Sequence, residues 1–180
     1  MNFYIWEVYI YIMKIRVAGV VDDSVVDGEG YRFTIFTQGC PHHCHNCQNP
    51  ETWGYDGGRD DDTDSILGEI LANPLLSGVT FSGGEPFAQP KPLAELAKKI
   101  HAHHLNVWSY SGYTLDELMK MAKQDADVRA LLDNIDVLVD GEYHDDERDL
   151  TLRFRGSRNQ RVIDMNETRK QNQIVLKYDE

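Results

Sequence analysis

All three cysteines of the chain fall in one short window, Cys40-Pro41-His42-His43-Cys44-His45-Asn46-Cys47. Three thiolates spaced C-x3-C-x2-C on a single loop can meet three corners of a cuboidal iron–sulfur cluster, a group ordinarily held by four cysteines. The chain has no fourth cysteine. One iron would stay open, and an open metal position is where a substrate or cofactor coordinates, by the logic that separates catalytic from structural zinc sites. The loop alone leaves a second reading open, a Cys3His zinc site using His42, His43 or His45. A disulfide framework fits poorly, because the cysteine count is odd, the spacing is tight and a chain of 180 residues builds a core without staples. A reducing, cytoplasmic setting is the expectation.

About one βα unit later comes Ser82-Gly83-Gly84-Glu85-Pro86. Taken alone, this is a simple turn. Paired with the cysteine loop it resembles the radical S-adenosylmethionine (SAM) superfamily. Further segments are similar to the family of anaerobic ribonucleoside-triphosphate reductase-activating proteins: Asp27-Gly28-Glu29-Gly30-Tyr31-Arg32, Gln38-Gly39-Cys40-Pro41, Cys47-Gln48-Asn49-Pro50-Glu51-Thr52-Trp53, Tyr110-Ser111-Gly112-Tyr113-Thr114, Asp140-Gly141 and Gly156-Ser157-Arg158-Asn159-Gln160-Arg161. The likeness covers nearly the whole chain from Met13. Two loop residues depart from it, His45 where the family usually has proline and Asn46 where it commonly has glycine.

What the resemblance implies is concrete. Cys40, Cys44 and Cys47 would ligate three irons of a 4Fe–4S cluster, and the fourth iron would hold the methionine end of SAM. The cofactor-binding residues would be Ser82, Gly83, Gly84, Glu85, Ser111 and Asp140. Gly83 and Gly84 would let backbone approach SAM where a Cβ would block it, and Glu85 would fix the turn rather than react. A reduced flavodoxin-like or ferredoxin-like donor would supply an electron, SAM would be cleaved to a 5′-deoxyadenosyl radical, and that radical would leave a glycyl radical on the large subunit of the reductase. Three alternatives stand beside this: a radical SAM enzyme acting on a small molecule, such as a deazapurine synthase; an activase of another glycyl-radical enzyme; and a zinc-binding module without catalysis.

Composition bounds the rest. With 41% hydrophobic and 27% charged residues the chain has the make-up of one globular domain. Its formal net charge of -12 lacks the basic footprint that a nucleic-acid partner needs. Residues 1–12 are apolar and aromatic but too short to span a membrane, which takes roughly 20 apolar residues, and they lack the layout of a signal peptide. They read as an extension, from a misplaced start codon or as an extra edge strand. Residues 13–180 read as one radical SAM domain.

Strand and helix patterns alternate along that domain. Strands are expected over 15–20, 33–37, 79–81, 106–110 and 135–139, with late strands at 150–154 and 173–177. Helices are expected over 64–72, with Ile66, Leu67, Ile70 and Leu71 on one face, and from Pro90, with Leu93, Leu96, Ala97 and Ile100 inward. A further helix follows a capping box of Thr114 and Glu117, and another spans 127–132. Such alternation implies a mostly parallel sheet, and there are too few units for a closed eight-stranded barrel of about 250 residues. The expected fold is therefore an open, partial (β/α) barrel, with the cysteine loop, the Gly-Gly-Glu turn, Ser111 and Asp140 on the rim at the strands' C-terminal ends. Asp140 reads equally as a turn residue. Arg153, Arg155, Arg158 and Arg161 read as a solvated face, with partner docking or anion binding as the lesser alternative. Trp53 and Trp108 read as packing residues.

Overall fold

β-Branched and aromatic runs separated by helical stripes resolve into one mixed sheet with helices against it. The computed structural model describes residues 13–178; the extension read at residues 1–12 lies outside them. The strands are β1 (Lys14–Ser24), β2 (Arg32–Thr37), β3 (Arg59–Asp62), β4 (Gly78–Gly83), β5 (Asn106–Ser111), β6 (Val137–Asp140) and β7 (Arg161–Asp164). The helices are α1 (Thr63–Ala72), α2 (Pro90–Ala102), α3 (Leu115–Met121), α4 (Ala126–Asp133) and α5 (Met165–Gln171). The sheet runs β3-β1-β2-β4-β5-β6-β7. Its middle, β2-β4-β5-β6, is parallel, and β1, β3 and β7 add antiparallel flanks. The sheet is open, as the alternation implied.

The two faces of the sheet divide by the period-2 rule. Phe33, Ile35, Val79, Phe81, Val107, Leu138 and Ile163 point to the main core, where Leu93, Leu96, Ala97 and Ile100 of α2 meet them with no solvent exposure. Each leucine buried this way contributes about 2 kcal/mol. Their neighbours point to the other face, which is more polar: Trp108, Val137, Val139 and Val162 form a small second cluster, flanked by Arg32, Thr34 and Thr80. Arg32 is fully buried there. Its guanidinium donates to Thr80 Oγ1 and the Val79 carbonyl and lies over the Trp108 ring, 5.2 Å from the centroid, so burial lowers its pKa to about 10 without removing the charge at neutral pH.

Helix starts follow local chemistry. Pro90 opens α2, the Thr114–Glu117 capping box opens α3, and Asp125 caps α4. Three expectations need correction. Leu71 is 42% exposed, so Ile66 and Ile70, with Leu67 partly buried against the same core, anchor α1. Residues 150–154 form no strand, because β7 occupies the outer edge of β6. The tail over 173–177 makes a single bridge, Leu176 to Ile163. That tail nonetheless acts as a fastener: the Tyr178 hydroxyl donates to Glu29 at 2.6 Å, Lys177 pairs with Glu29, and the Tyr178 ring packs on Phe154. Among the described residues no helix is long and apolar enough to cross a membrane.

α2 is tied to β6 by His101, whose Nε2 lies 2.9 Å from Asp136 Oδ2. The bond to Asp136 raises the His101 pKa above 6.5. Burial pushes Asp136 up, but bonds from His101, the Val107 N–H and Asn166 outweigh it and hold the carboxyl below 3.8. The histidine's contribution is full below its ordinary pKa and is lost as pH rises through the folded value. The aspartate's is full above its ordinary pKa and is lost as pH falls through the folded value. His101→Gln is therefore expected to cost about 1 kcal/mol near pH 5.5, discounted for a partly exposed imidazole, and clearly less near pH 9. Urea midpoints of both proteins at the two pH values check this; an equal difference at both would contradict it.

Candidate functional site

Register brings the motifs together. β2 and β4 pair so that Thr37 stands beside Gly83, and β5 and β6 pair Ser111 with Asp140. The residues that follow or end the four parallel strands, the cysteine loop, Gly83-Gly84-Glu85, Ser111-Gly112 and Asp140-Gly141, thus share one rim. The first two are stitched directly: Gly84 N–H donates to the Thr37 carbonyl and Glu85 N–H to the Gly39 carbonyl, both at 2.8 Å.

The cysteine loop is held at both ends. Gly39 N–H donates to the Thr52 carbonyl and Cys40 N–H to the Trp53 carbonyl, which closes the loop on the Asn49–Trp53 segment. Asn49 N–H donates to Cys47 Sγ at 3.4 Å. Asn46 has φ of 55°, left-handed backbone that asparagine tolerates better than most residues. Asparagine therefore suits this position of the turn, and its side-chain amide adds a bond to Asp145.

The three thiols are free and line one cavity of about 920 Å³ together with Ser82, Gly83, Gly84 and Ser111. Burial pushes the Cys40 thiol up, with the Glu85 carboxylate adding to it; burial also pushes Cys44 up, with Glu142 adding. A nucleophilic cysteine has the opposite environment, one that lowers its pKa. Cys40 and Cys44 are therefore not in the environment of a nucleophile, and a metal bound there would have to displace their protons. The donor set, three cysteines of one short loop lining one cavity, is of the kind that holds an iron–sulfur cluster, although among the described residues no three metal-ligating side chains are gathered about a single point.

Glu85 is fully buried. Its carboxylate accepts from Phe87 N–H, Gly112 N–H and the Ser111 hydroxyl, at 2.9 to 3.1 Å. The fourth contact is His42 Nε2 at 3.0 Å. His42 Nδ1 lies 3.0 Å from Glu142. Against burial, which lowers it, the two carboxylates raise the His42 pKa. Both ring nitrogens are thus engaged outside the cysteine set.

The protein's own packing requires both glycines. A Cβ on Gly83 would sit 2.6 Å from Phe36 Cα, and one on Gly84 would sit 2.5 Å from the Gly39 carbonyl oxygen. Both directions point into the protein's own backbone, so the glycines admit strand β2 and the cysteine loop. Asp140 is 1% exposed and stands outside the lining of the large cavity. Its carboxylate accepts from Leu115 N–H at 2.7 Å and pairs with Arg161. The arginine run splits likewise: Arg158 pairs with Asp149, while Arg153 and Arg155 line the cavity. Sequence reasoning missed Phe154 and Asp27 as cavity residues; for Asp27 the Asp-Gly-Glu-Gly segment was the available signal.

An open α/β sheet with a three-cysteine loop and a Gly-Gly-Glu turn on one rim defines an iron–sulfur domain of radical SAM type, and the family model described as "4Fe-4S single cluster domain" matches residues 26–163. The anaerobic ribonucleoside-triphosphate reductase-activating protein of Pasteurella multocida is 36% identical over 76% of this chain and 89% of its own length. Its counterpart in Escherichia coli is 35% identical over 77% and 92%. The pyruvate formate-lyase-activating enzyme of Clostridium pasteurianum is 38% identical over a shorter stretch, 46% of this chain and 37% of that one. The chain belongs to the family of anaerobic ribonucleoside-triphosphate reductase-activating proteins. It is a radical SAM activating enzyme.

Because the space beside Gly84 is filled by backbone, Gly84→Ala is expected to destabilise the protein by about 1–3 kcal/mol. Gly68→Ala in α1, where a Cβ meets nothing within 4 Å, is expected to be neutral or to stabilise by up to about 1 kcal/mol. Urea unfolding of the two variants tests the contrast, and equal midpoints would count against it.

Proposed function

We propose that Cys40, Cys44 and Cys47 hold the 4Fe–4S cluster, that SAM binds in the cavity beside the Gly83-Gly84-Glu85 turn, and that the substrate is a glycine of the large subunit of anaerobic ribonucleoside-triphosphate reductase. The observation behind this reading is that three free thiols of one loop and the Gly-Gly-Glu turn line the same cavity. When bound, the cluster and SAM supply one-electron reductive cleavage of a sulfonium, and with it a hydrogen-abstracting radical, at the expense of a reduced flavodoxin-like or ferredoxin-like donor.

The chain's own residues bind and orient. Glu85 does not react, since its carboxylate is committed to the turn, to the end of β5 and to His42. Ser111 lines the cavity while donating to Glu85, so its position is set by a buried partner. Val25, Val26 and Leu150 border the cavity with 60%, 72% and 81% exposure. An apolar rim of this kind suits cover by a segment of another protein, which would also exclude water from the radical. The zinc reading loses one of its three candidate donors, because His42 is engaged by two carboxylates; it would have to use His43 or His45. Activation of a pyruvate formate-lyase has support over less of the chain than activation of the reductase.

Each single change of Cys40, Cys44 or Cys47 to Ala is expected to abolish the absorbance of the anaerobically reconstituted cluster. The reduced wild-type protein with SAM is expected to generate a glycyl-radical electron paramagnetic resonance (EPR) signal in the large subunit of the reductase from the same organism. Stoichiometric zinc without iron would sink the cluster assignment. Rapid SAM cleavage with a small purine precursor and a radical-free reductase would favour the small-molecule enzyme.

A further inference from the structure

His42 occupies the middle of the three-residue spacer between Cys40 and Cys44, and its side chain is only 7% exposed. The ring reaches away from the loop, with Nε2 3.0 Å from Glu85 and Nδ1 3.0 Å from Glu142. Tyr113 packs edge-on against it at 4.4 Å between centroids. The pocket for the ring depends on a glycine: a Cβ on Gly112 would stand 2.4 Å from His42 Cδ2. One imidazole therefore joins the cysteine loop to the turn after β4, to the segment after β5 and to the residue two beyond the end of β6.

We infer that His42 is a positioning residue that fixes the orientation of the cysteine loop against the Gly83-Gly84-Glu85 turn, and hence the direction in which the open cluster corner faces SAM. The part concerning SAM rests on the function proposed above; the part concerning the loop does not. Two N–H groups and the Ser111 hydroxyl already compensate the buried Glu85 carboxylate from within β4–β5. What the imidazole adds is a link to the loop. The link is rigid, because a planar ring held at both nitrogens and stacked on its edge has no rotamer to change to. The Cys40 N–H bond and the His43 ring hold the arc to Trp53, and the Asn46 to Asp145 tether lies beyond Cys44 and is exposed, so within the Cys40–Cys44 arc it is the His42 side chain that reaches Glu85 and Glu142.

Three variants, read by amide exchange, SAM affinity and the EPR response to SAM, test this. His42→Leu removes both bonds; Glu142→Ala removes the outer one and leaves the core untouched. In the iron-free protein, amide hydrogen exchange over residues 40–47 is expected to accelerate roughly 10-fold in His42→Leu and about 3-fold in Glu142→Ala, with α2 unchanged. In the reconstituted protein all three cysteines remain, so iron content is expected to stay near wild type. The SAM dissociation constant should rise roughly 10-fold in His42→Leu, the size expected for a lost charge-assisted bond. The change that SAM produces in the EPR signal of the reduced cluster should be lost. His42→Gln, which can still donate to Glu85, should recover part of both effects. Loop exchange and SAM affinity within about twofold of wild type in both His42→Leu and Glu142→Ala would overturn the inference. Wild-type protein that takes up no iron would refute the cluster reading alone, with exchange still deciding the role of His42. Should His42→Leu fail to fold, Glu142→Ala decides it.

Discussion

A carboxyl group with no access to solvent has to be compensated on every side, since the cost of burying it unpaired exceeds what most single contacts return. Glu85 sits at that depth, and its compensation comes from three separate places in the chain: its own turn, the Ser111-Gly112 end of β5, and His42 of the cysteine loop. The rim's geometry follows from this. Parallel pairing sets the heights of the strand ends, but only a shared buried acceptor forces the segments beyond them to converge on one point. The glycines on either side belong to the same arrangement, because the Gly84 turn and the Gly39 carbonyl approach more closely than side chains allow.

The division of the sheet into two unlike faces has a functional side. Helices cover one face with a continuous apolar core. The other holds threonines, a buried arginine and a tryptophan, and leads into the cavity that the three thiols line. A face intended for ligands in an open sheet can be neither fully apolar nor wet. Here the polarity is prepaired, with Arg32 satisfied by Thr80, the Val79 carbonyl and the Trp108 ring before any ligand arrives.

Much of this was legible in the chain. The stripe of Leu93, Leu96, Ala97 and Ile100, the Thr114–Glu117 box and the Val79–Phe81 run each obey a local rule, and each appears as read. What escaped depends on distant partners. β7 is four residues with charged ends, and it is a strand because β6 offers it an edge; 150–154 has the better strand composition but no edge to join. The thiols' common cavity was foreseeable from spacing, whereas the use of His42 was not: beside cysteines a histidine reads as a metal donor, and only the fold reveals the two carboxylates that take its nitrogens. The direction of a missing Cβ is equally invisible in sequence, so the packing of Gly83 and Gly84 against β2 and the cysteine loop could not be read there.

The tail that fastens Tyr178 and Lys177 to Glu29, and packs Tyr178 on Phe154, joins the last described residues to a loop near the beginning. Phe154 is part of the cavity wall. The cysteine loop lies far ahead of that tail in sequence, so one wall of the cavity it lines is braced by a segment that local folding around the loop does not supply. The wall at Phe154 and the tail at Tyr178 thus form one unit of stability, distant in sequence from the thiols they help enclose.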